Sequence, residues 1–241
     1  MDKLYIVMPA YNEQDNIESV VKTWYLILDG KDEKSKLVVA DSGSVDSTHE
    51  ILMKLQKDFP KLEILSNTGT QHGPKILALY DHAIKEGADY VFQTDSDGQT
   101  LPEEFDYFWK FREDNDAVIG NRISRADGVE RKIVEKIVCL LLRGFFGVRI
   151  PDANAPFRLM KTEIVKKYID RLPANYNLPN IMLTTFFVFY KENIQFVEIS
   201  FRKRQGGKNS VDLLKIIKIG WRAIWDFGYF RSRMIGESRY V

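Results

Sequence analysis

Asp95 and Asp97, with Gly98 and Gln99 after them, stand at the end of the short apolar run Tyr90-Val91-Phe92-Gln93. A strand that stops at a cluster of Asp, Ser and Gly delivers its carboxylates into a loop. Two like charges two residues apart repel by roughly 4 kcal/mol at about 4 Å with an effective dielectric near 20, so such a pair asks for a cation or a donor between them. Hard oxygen ligands suit Mg2+ or Mn2+ shared with substrate phosphates, Gln99 offering a further oxygen. Asp-Ser-Asp-Gly is equally what a polar turn is made of, so the rest of the chain has to decide.

Further polar groups follow apolar runs in the same way. Leu4-Tyr5-Ile6-Val7-Met8 leads into Pro9-Ala10-Tyr11-Asn12-Glu13, and Leu37-Val38-Val39-Ala40 leads into Asp41-Ser42-Gly43-Ser44-Val45-Asp46-Ser47-Thr48, with Asp46 or Ser47 suited to cap a helix. Leu62–Ser66 and Ala117–Gly120 read as two more strands, the latter running into Asn121-Arg122. Helical spacing separates the strands: Ile17, Val20, Val21, Trp24 and Leu28; then Ile51, Leu52 and Leu55; then a helix begun near Pro74. Five strands alternating with helices predict a mostly parallel α/β sheet, whose ligands gather outside the strands' carboxyl ends.

The ordered set Pro9-Ala10-Tyr11-Asn12-Glu13, Asp41-Ser42-Gly43 and Asp95-Ser96-Asp97-Gly98-Gln99 resembles the family 2 glycosyltransferases. Asp152 with Phe157-Arg158, then Phe201, Arg204, Gly207 and Ser210, resembles the later signatures of the branch that holds the dolichol- and polyprenyl-phosphate mannose synthases. The resemblance implies a GT-A (nucleotide-diphospho-sugar transferase) fold: a mostly parallel central sheet flanked by helices with a C-terminal acceptor-side helical portion. It also implies a bound Mg2+ or Mn2+, a UDP- or GDP-sugar donor, and transfer with inversion. Carried over by position, Pro9, Tyr11, Glu13, Asp41 and Asp95 hold the nucleotide, and Asp97 and Gln99 hold the metal. Asp95, Asp97, Asp152 and Arg204 form the catalytic set, and Arg122, Arg131, Arg204 and Ser210 meet the acceptor or its phosphate.

Two departures from the family pattern bear on the acceptor. The acidic residue near the acceptor helix has no counterpart in Leu178-Pro179-Asn180-Ile181-Met182-Leu183, and the Glu-Asp pair that supplies a base to hydroxyl acceptors is missing. A sugar hydroxyl needs a base, whereas a phosphate monoester is already ionised and needs only orientation. This tilts toward a lipid-phosphate acceptor within a reading that takes a polyprenyl phosphate or a lipid-linked glycan, the alternative being a sugar hydroxyl in cell-surface polysaccharide synthesis, with Asp152 as the base if a hydroxyl is used. The signature's closing segment is also longer, Ser210 falling one residue late.

The 241 residues, 44% hydrophobic and 29% charged, are enough for a substantial core. Residues 1–125 read as the nucleotide-sugar half, 126–209 as the acceptor-side half of the same domain, and 210–241 as an amphipathic helix and tail. A net charge of +1 gives no global pull toward nucleic acid, and Cys139, alone of its kind, makes no internal disulfide. Of His49, His72 and His82, only His72, in a glycine-containing loop, is kept as a site candidate. No apolar run approaches the roughly 20 residues of a spanning helix, and none of the amino-terminal residues forms a signal-peptide core. In the last helix Leu214, Ile217, Trp221, Ile224 and Trp225 share one face; it could pack in the core, but its tryptophans and arginines favour a membrane surface, which would put the protein peripherally on the cytoplasmic membrane face. Two rivals remain open here: a haloacid-dehalogenase-like phosphatase built on Asp95-x-Asp97, and a sugar-nucleotide-binding protein without turnover. On the transferase reading Asp41 contacts the base, far from bond breaking, so Asp41→Ala raises the donor KM more than it lowers kcat in steady-state kinetics.

Overall fold

The computed structural model describes residues 1–125, 129–204 and 213–238. One seven-stranded sheet organises them: β1 (Leu4–Ala10), β2 (Lys36–Asp41), β3 (Leu62–Leu65), β4 (Tyr90–Gln93), β5 (Ala117–Arg125), β6 (Arg158–Lys161) and β7 (Ile194–Phe201), in the spatial order β3-β2-β1-β4-β6-β5-β7. The first four are parallel, as the alternation of strands and helices predicts. The fifth does not join them directly. β6 enters antiparallel between β4 and β5, and β7 closes the far side parallel to β5.

Alternation along the strands sends side chains to two separate cores. Tyr5 and Val7 of β1 face one, Leu4, Ile6 and Met8 the other. Helices α1 (Ile17–Tyr25), α2 (Thr48–Asp58) and α4 (Phe105–Lys110) cover the second face. Helices α3 (His72–Lys85), α5 (Val129–Phe146), α6 (Thr162–Ile169), α7 (Pro179–Phe189) and α8 (Leu213–Ser238) contribute to the first. The apolar stretch near Ile181 becomes α7, buried from Pro179 through Phe187. Its two threonines tolerate that burial because each hydroxyl donates to the carbonyl four residues back, Thr184 to Asn180 at 2.8 Å and Thr185 to Ile181 at 2.7 Å.

The structure departs from the sequence-based expectation in four places. β1 continues through Pro9 and Ala10, so Pro9 is a buried strand residue rather than part of a loop. β5 runs to Arg125, so Arg122 lies inside a strand and not after it; a bulge between Arg122 and Ser124 in the pairing with β7 leaves Ile123 exposed and turns Arg122 inward. β6 and α6 were not anticipated. In α8 the core-facing residues are Ala223, Phe227, Phe230 and Met234, whereas Trp221 and Trp225 stand in solvent. The helix carries two apolar faces, and the one with the smaller and phenylalanine side chains is the one that packs; the side chains of Leu214 and Ile217 lie outside the described set.

Gly73, in the first turn of α3, presses on the chain between α6 and α7: a Cβ there would lie 2.2 Å from the Tyr176 carbonyl oxygen and 2.5 Å from Asn177 Cα. Because the obstacle is backbone, Gly73→Ala costs about 1–3 kcal/mol, read as a lowered midpoint in urea unfolding; an unchanged midpoint means that the contact yields freely.

Candidate active site

The carboxyl ends of β1, β2, β4, β5 and β7, together with the loop that enters β6, meet along one sheet edge. The β1 and β2 loops are stitched together there. Asn12, in the left-handed region at φ 55°, donates its N–H to Ser44 Oγ at 3.0 Å and accepts Val45 N–H on Oδ1 at 2.8 Å, and Glu13 N–H donates to Thr48 Oγ1 at 2.8 Å. Asp46 accepts the Thr48 N–H at 3.0 Å, performing the expected capping from one residue before the helix's own N-cap position.

Asp41 ends β2 almost completely buried. Ser44 Oγ donates to its Oδ1 at 2.5 Å, and His49 Nδ1 lies 3.0 Å from its Oδ2. His49, set aside in the sequence for want of a ligand partner, thus joins Asp41 through α2. The buried Lys75 reaches across from α3, donating from Nζ to the Ala10 carbonyl at 2.5 Å and lying 5.2 Å from the centre of the half-exposed Tyr11 ring. Burial lowers the Lys75 pKa while Asp41 works against that shift. The result is a cluster of an aromatic face, a buried carboxylate and a buried cation.

The β4 loop holds the second cluster. Ser96 Oγ donates to the Pro9 carbonyl at 2.8 Å, fixing the loop against β1, and Gly98 supplies the positive φ of 72° that the turn requires. Asp95 Oδ1 is buried without a hydrogen-bond partner. Burial pushes the Asp95 pKa up to about 6 against the pull of Arg122; the Asp97 pKa also rises to about 6, through burial and then repulsion from Asp95. Gln99 donates Nε2 to the Arg202 carbonyl at 2.7 Å, while Arg202 N–H donates to the Gln99 carbonyl at 2.9 Å, which leaves the Gln99 side-chain oxygen for the site. An orphaned buried carboxylate oxygen, a neighbouring raised carboxylate and an amide oxygen form a hard donor set that fits Mg2+ or Mn2+. No cluster of three acidic, histidine or cysteine ligands exists among the described residues, so a cation here would draw its remaining ligands from substrate and water.

Arg204, beyond β7, bridges the clusters. Its guanidinium pairs with Glu13 and lies 3.9 Å from Asp97 Oδ2. Glu13 also accepts from Asn16 Nδ2 at 2.9 Å, and burial raises its pKa overall despite these donors. The structure therefore places Arg204 beside Glu13 and Asp97, whereas Arg122 pairs with Asp152. Arg122 is committed elsewhere: its Nε and Nη2 donate to the two oxygens of Asp152 at 2.6 and 2.8 Å, both side chains are nearly buried, and the guanidinium lies over Phe201 at 5.1 Å. An acceptor phosphate would have to break this fork to use Arg122, and Asp152 would have to leave it to take a proton. Arg131 lies in the first turns of α5. Ser210 is outside the described residues, and His72 opens α3 at the surface within the electrostatic reach of Lys75 and Asp97.

Arg158, part of the quoted Phe-Arg pair but given no role from sequence, is wholly buried. It donates to the Ala155 carbonyl from Nε at 3.0 Å and Nη2 at 2.7 Å, and to the Asn180 carbonyl from Nη1 at 3.2 Å. Its charge acts on both Asp95 and Asp152.

The model of Glycosyl transferase family 2 matches residues 5–169. The chain belongs to this family. It is 23% identical over 217 residues to the undecaprenyl-phosphate 4-deoxy-4-formamido-L-arabinose transferase of Pectobacterium carotovorum subsp. carotovorum (strain PC1), covering 89% of this chain and 64% of that one. Against the transferase of the same name from Salmonella choleraesuis (strain SC-B67) the identity is 25% over 166 residues, covering 68% of this chain and 50% of that one. This family 2 transferase thus spans about half to two thirds of the length of these relatives. Glucosyl-3-phosphoglycerate synthase from Mycobacterium tuberculosis, solved with Mn2+, UDP-glucose and phosphoglyceric acid, shares its GT-A fold: TM-score 0.70 at 20% identity, over 95% of this chain and 79% of that one. A further structure of that enzyme holds Mg2+ and UDP, with a TM-score of 0.66 at 20% identity over 86% of this chain and 73% of that one. The phosphatase reading of Asp95-x-Asp97 falls with this membership.

Asp95 and Asp97 bind a proton more tightly when folded than when unfolded. Metal-free protein therefore has their full contribution to stability below pH 4 and loses it as pH rises through about 6. Removing one charge relieves the pair, so Asp97→Asn raises the metal-free Tm at about pH 8 by about 2–4 °C; calorimetry in EDTA reads the shift, and a lower Tm refutes the electrostatic account.

Proposed function

We propose that this family 2 transferase moves a sugar from a UDP- or GDP-sugar to a phosphate-headed polyprenyl acceptor at a membrane surface, with inversion and with Mg2+ or Mn2+ bound at Asp97 and Gln99. The observation that carries the acceptor choice is the Arg122–Asp152 fork. The carboxylates along the edge are each committed: Asp152 to Arg122, Glu13 to Arg204, Asp41 to Ser44 and His49. Asp95 and Asp97 crowd the position suited to a cation. An acceptor that brings its own negative oxygen needs none of them as a base. The names of the curated relatives, undecaprenyl-phosphate sugar transferases, agree with that acceptor class, and the solved neighbours' UDP with Mn2+ or Mg2+ agrees with the donor and cation.

In this reading the base lies against Tyr11 with Asp41, Ser44 and His49 at its edge, Asp95 meets the ribose, and Lys75 holds the Ala10 carbonyl and the Tyr11 ring in place. The diphosphate runs toward Asp97 and Gln99. When bound there, the cation supplies Lewis-acid stabilisation of the departing diphosphate. Arg204, still paired with Glu13, turns its remaining N–H groups toward the diphosphate oxygens and so adds a charge-assisted donor where negative charge develops. An oxygen of the acceptor phosphate, oriented by Arg131 and Ser210, forms the new bond to the anomeric carbon as the bond to the diphosphate breaks. The bonding pair leaves with the nucleoside diphosphate, and the carbon inverts. Arg122 and Asp152 brace the floor between the two halves rather than touch substrate, which revises the roles that the motif alone gives them.

Asp97→Ala abolishes transfer while circular dichroism shows an intact fold, and EDTA does the same to the wild type. Arg204→Ala lowers kcat by about 10²–10³-fold, the scale of losing one preorganised donor at a developing charge. Radiolabelled transfer to polyprenyl phosphate measures both. Undiminished turnover in EDTA refutes the metal assignment, and efficient glycosylation of a water-soluble sugar hydroxyl with none of polyprenyl phosphate refutes the acceptor.

A further inference from the structure

Helices α5 and α8 pack side by side, with the Phe227 ring 6.1 Å from Phe145 and 6.0 Å from Phe146. Each leaves large apolar side chains in solvent. On α5 these are Ile133 and Ile137, each 52% exposed, and Leu140 at 68%; on α8 they are Trp221 at 67%, Trp225 at 79% and Tyr229 at 55%. Helical winding places the two rows relative to the seam. Starting from Phe145 at the seam and turning about 100° per residue, α5 presents Ile137, then Ile133 and Leu140, and only then the exposed Lys136, Arg143 and Lys132. Starting from Phe227, α8 presents Gly228, where a Cβ would lie 3.9 Å from Phe145 Cε1, then Trp221, Trp225 and Tyr229, and beyond them Arg222 and Arg233. The core sides of both helices, Leu142 and Phe146 on one, Ala223, Phe230 and Met234 on the other, lie the opposite way round. Both rows therefore lie on the solvent side of two helices that meet at Phe145 and Phe227, with basic residues beyond them on each helix and Asp226 beside Arg222.

We infer that the α5–α8 seam is a two-helix docking surface for an anionic phospholipid bilayer, its Trp, Tyr, Ile and Leu rows entering the headgroup boundary and its basic flanks meeting lipid phosphates. It rests on the proposed lipid-carried acceptor for its purpose alone; the surface itself stands on geometry. Aromatic and aliphatic groups at the centre with arginine and lysine at the margins match the layering of a bilayer interface. A second copy of the chain matches it poorly, since a two-fold contact across this seam sets basic flank against basic flank. No helix among the described residues is long and apolar enough to cross a membrane, so a bilayer would hold these helices by their faces.

Sedimentation of the full chain with phosphatidylglycerol-containing vesicles, compared with phosphatidylcholine vesicles, tests the inference. The protein binds the anionic vesicles, salt weakens the binding, and tryptophan emission shifts to the blue. Trp221→Glu with Trp225→Glu, and separately Ile137→Glu with Leu140→Glu, each weaken vesicle binding by about tenfold or more, while circular dichroism and calorimetric binding of UDP or GDP with Mn2+ stay unchanged. Met53→Glu, on the exposed side of α2, leaves vesicle binding as it was. The surface is refuted if wild type ignores anionic vesicles, if the α5 pair has no effect, or if ultracentrifugation shows a dimer that these same substitutions dissolve. Vesicle binding that responds as stated, without transfer to polyprenyl phosphate in any form, leaves the docking surface standing and removes the proposed acceptor.

Discussion

Negative charge crowded at one sheet edge is the constraint to which the rest of the structure answers. Parallel strands bring Asp41 and Asp95 to their carboxyl ends, and Asp97, Glu13 and Asp152 join them from loops. Burial makes each of these costly, and the guanidinium groups around them are the counterweight. Arg122 pairs with Asp152, Arg204 with Glu13, and the fully enclosed Arg158 acts on Asp95 and Asp152 from below. The arginines come from β5, the segment after β7 and β6, all on the side of the sheet that follows Asp97 in sequence. Residues 1–125 therefore supply Asp41, Asp95, Asp97 and Glu13 together with Arg122, and the later residues supply Asp152, Arg158 and Arg204, so that pairs of both polarities couple the two parts electrostatically.

Asp95 and Asp97 remain the least compensated of the set. Arg204, 3.9 Å from Asp97 and engaged with Glu13, offers partial relief. Stability is withheld at this point, an imbalance that a cation bound beside the two carboxylates would offset. Ser96, held to the Pro9 carbonyl, and Gln99, held to Arg202, keep the loop from relaxing its carboxylates into solvent.

Much of the amino-terminal part, from β1 to β4, was legible in the sequence because its signals are local. β1 to β4 are short apolar runs that end at polar loops, and α1 to α3 follow at helical spacing. What escaped reading was long-range. Arg158-Leu159-Met160-Lys161 is four residues with a cation at each end, too short for a period, and becomes β6 only because β4 and β5 offer it hydrogen bonds on both sides. Asn121-Arg122-Ile123-Ser124-Arg125 reads as loop because polar residues dominate, yet β7 draws it into the sheet. The Arg122–Asp152 fork joins positions 30 apart, and His49 meets Asp41 only because α2 folds back over β2. In α8 two apolar faces compete, and nothing in the helix itself says which one the core will choose.

The antiparallel β6, wedged between β4 and β5, also sets an order of assembly. As the chain leaves the ribosome, β1 to β4 are complete by Gln93, and each pairing among them is available as it emerges. β5 emerges next but has no partner in that sheet, because its neighbours are β6 and β7, which begin at Arg158 and Ile194. Until then β4 presents an open hydrogen-bonding edge, the kind of template that recruits strands from other molecules. Non-local pairing of this sort slows folding. The amino-terminal four strands are thus born early and wait with an unpaired edge for residues synthesised more than sixty positions later.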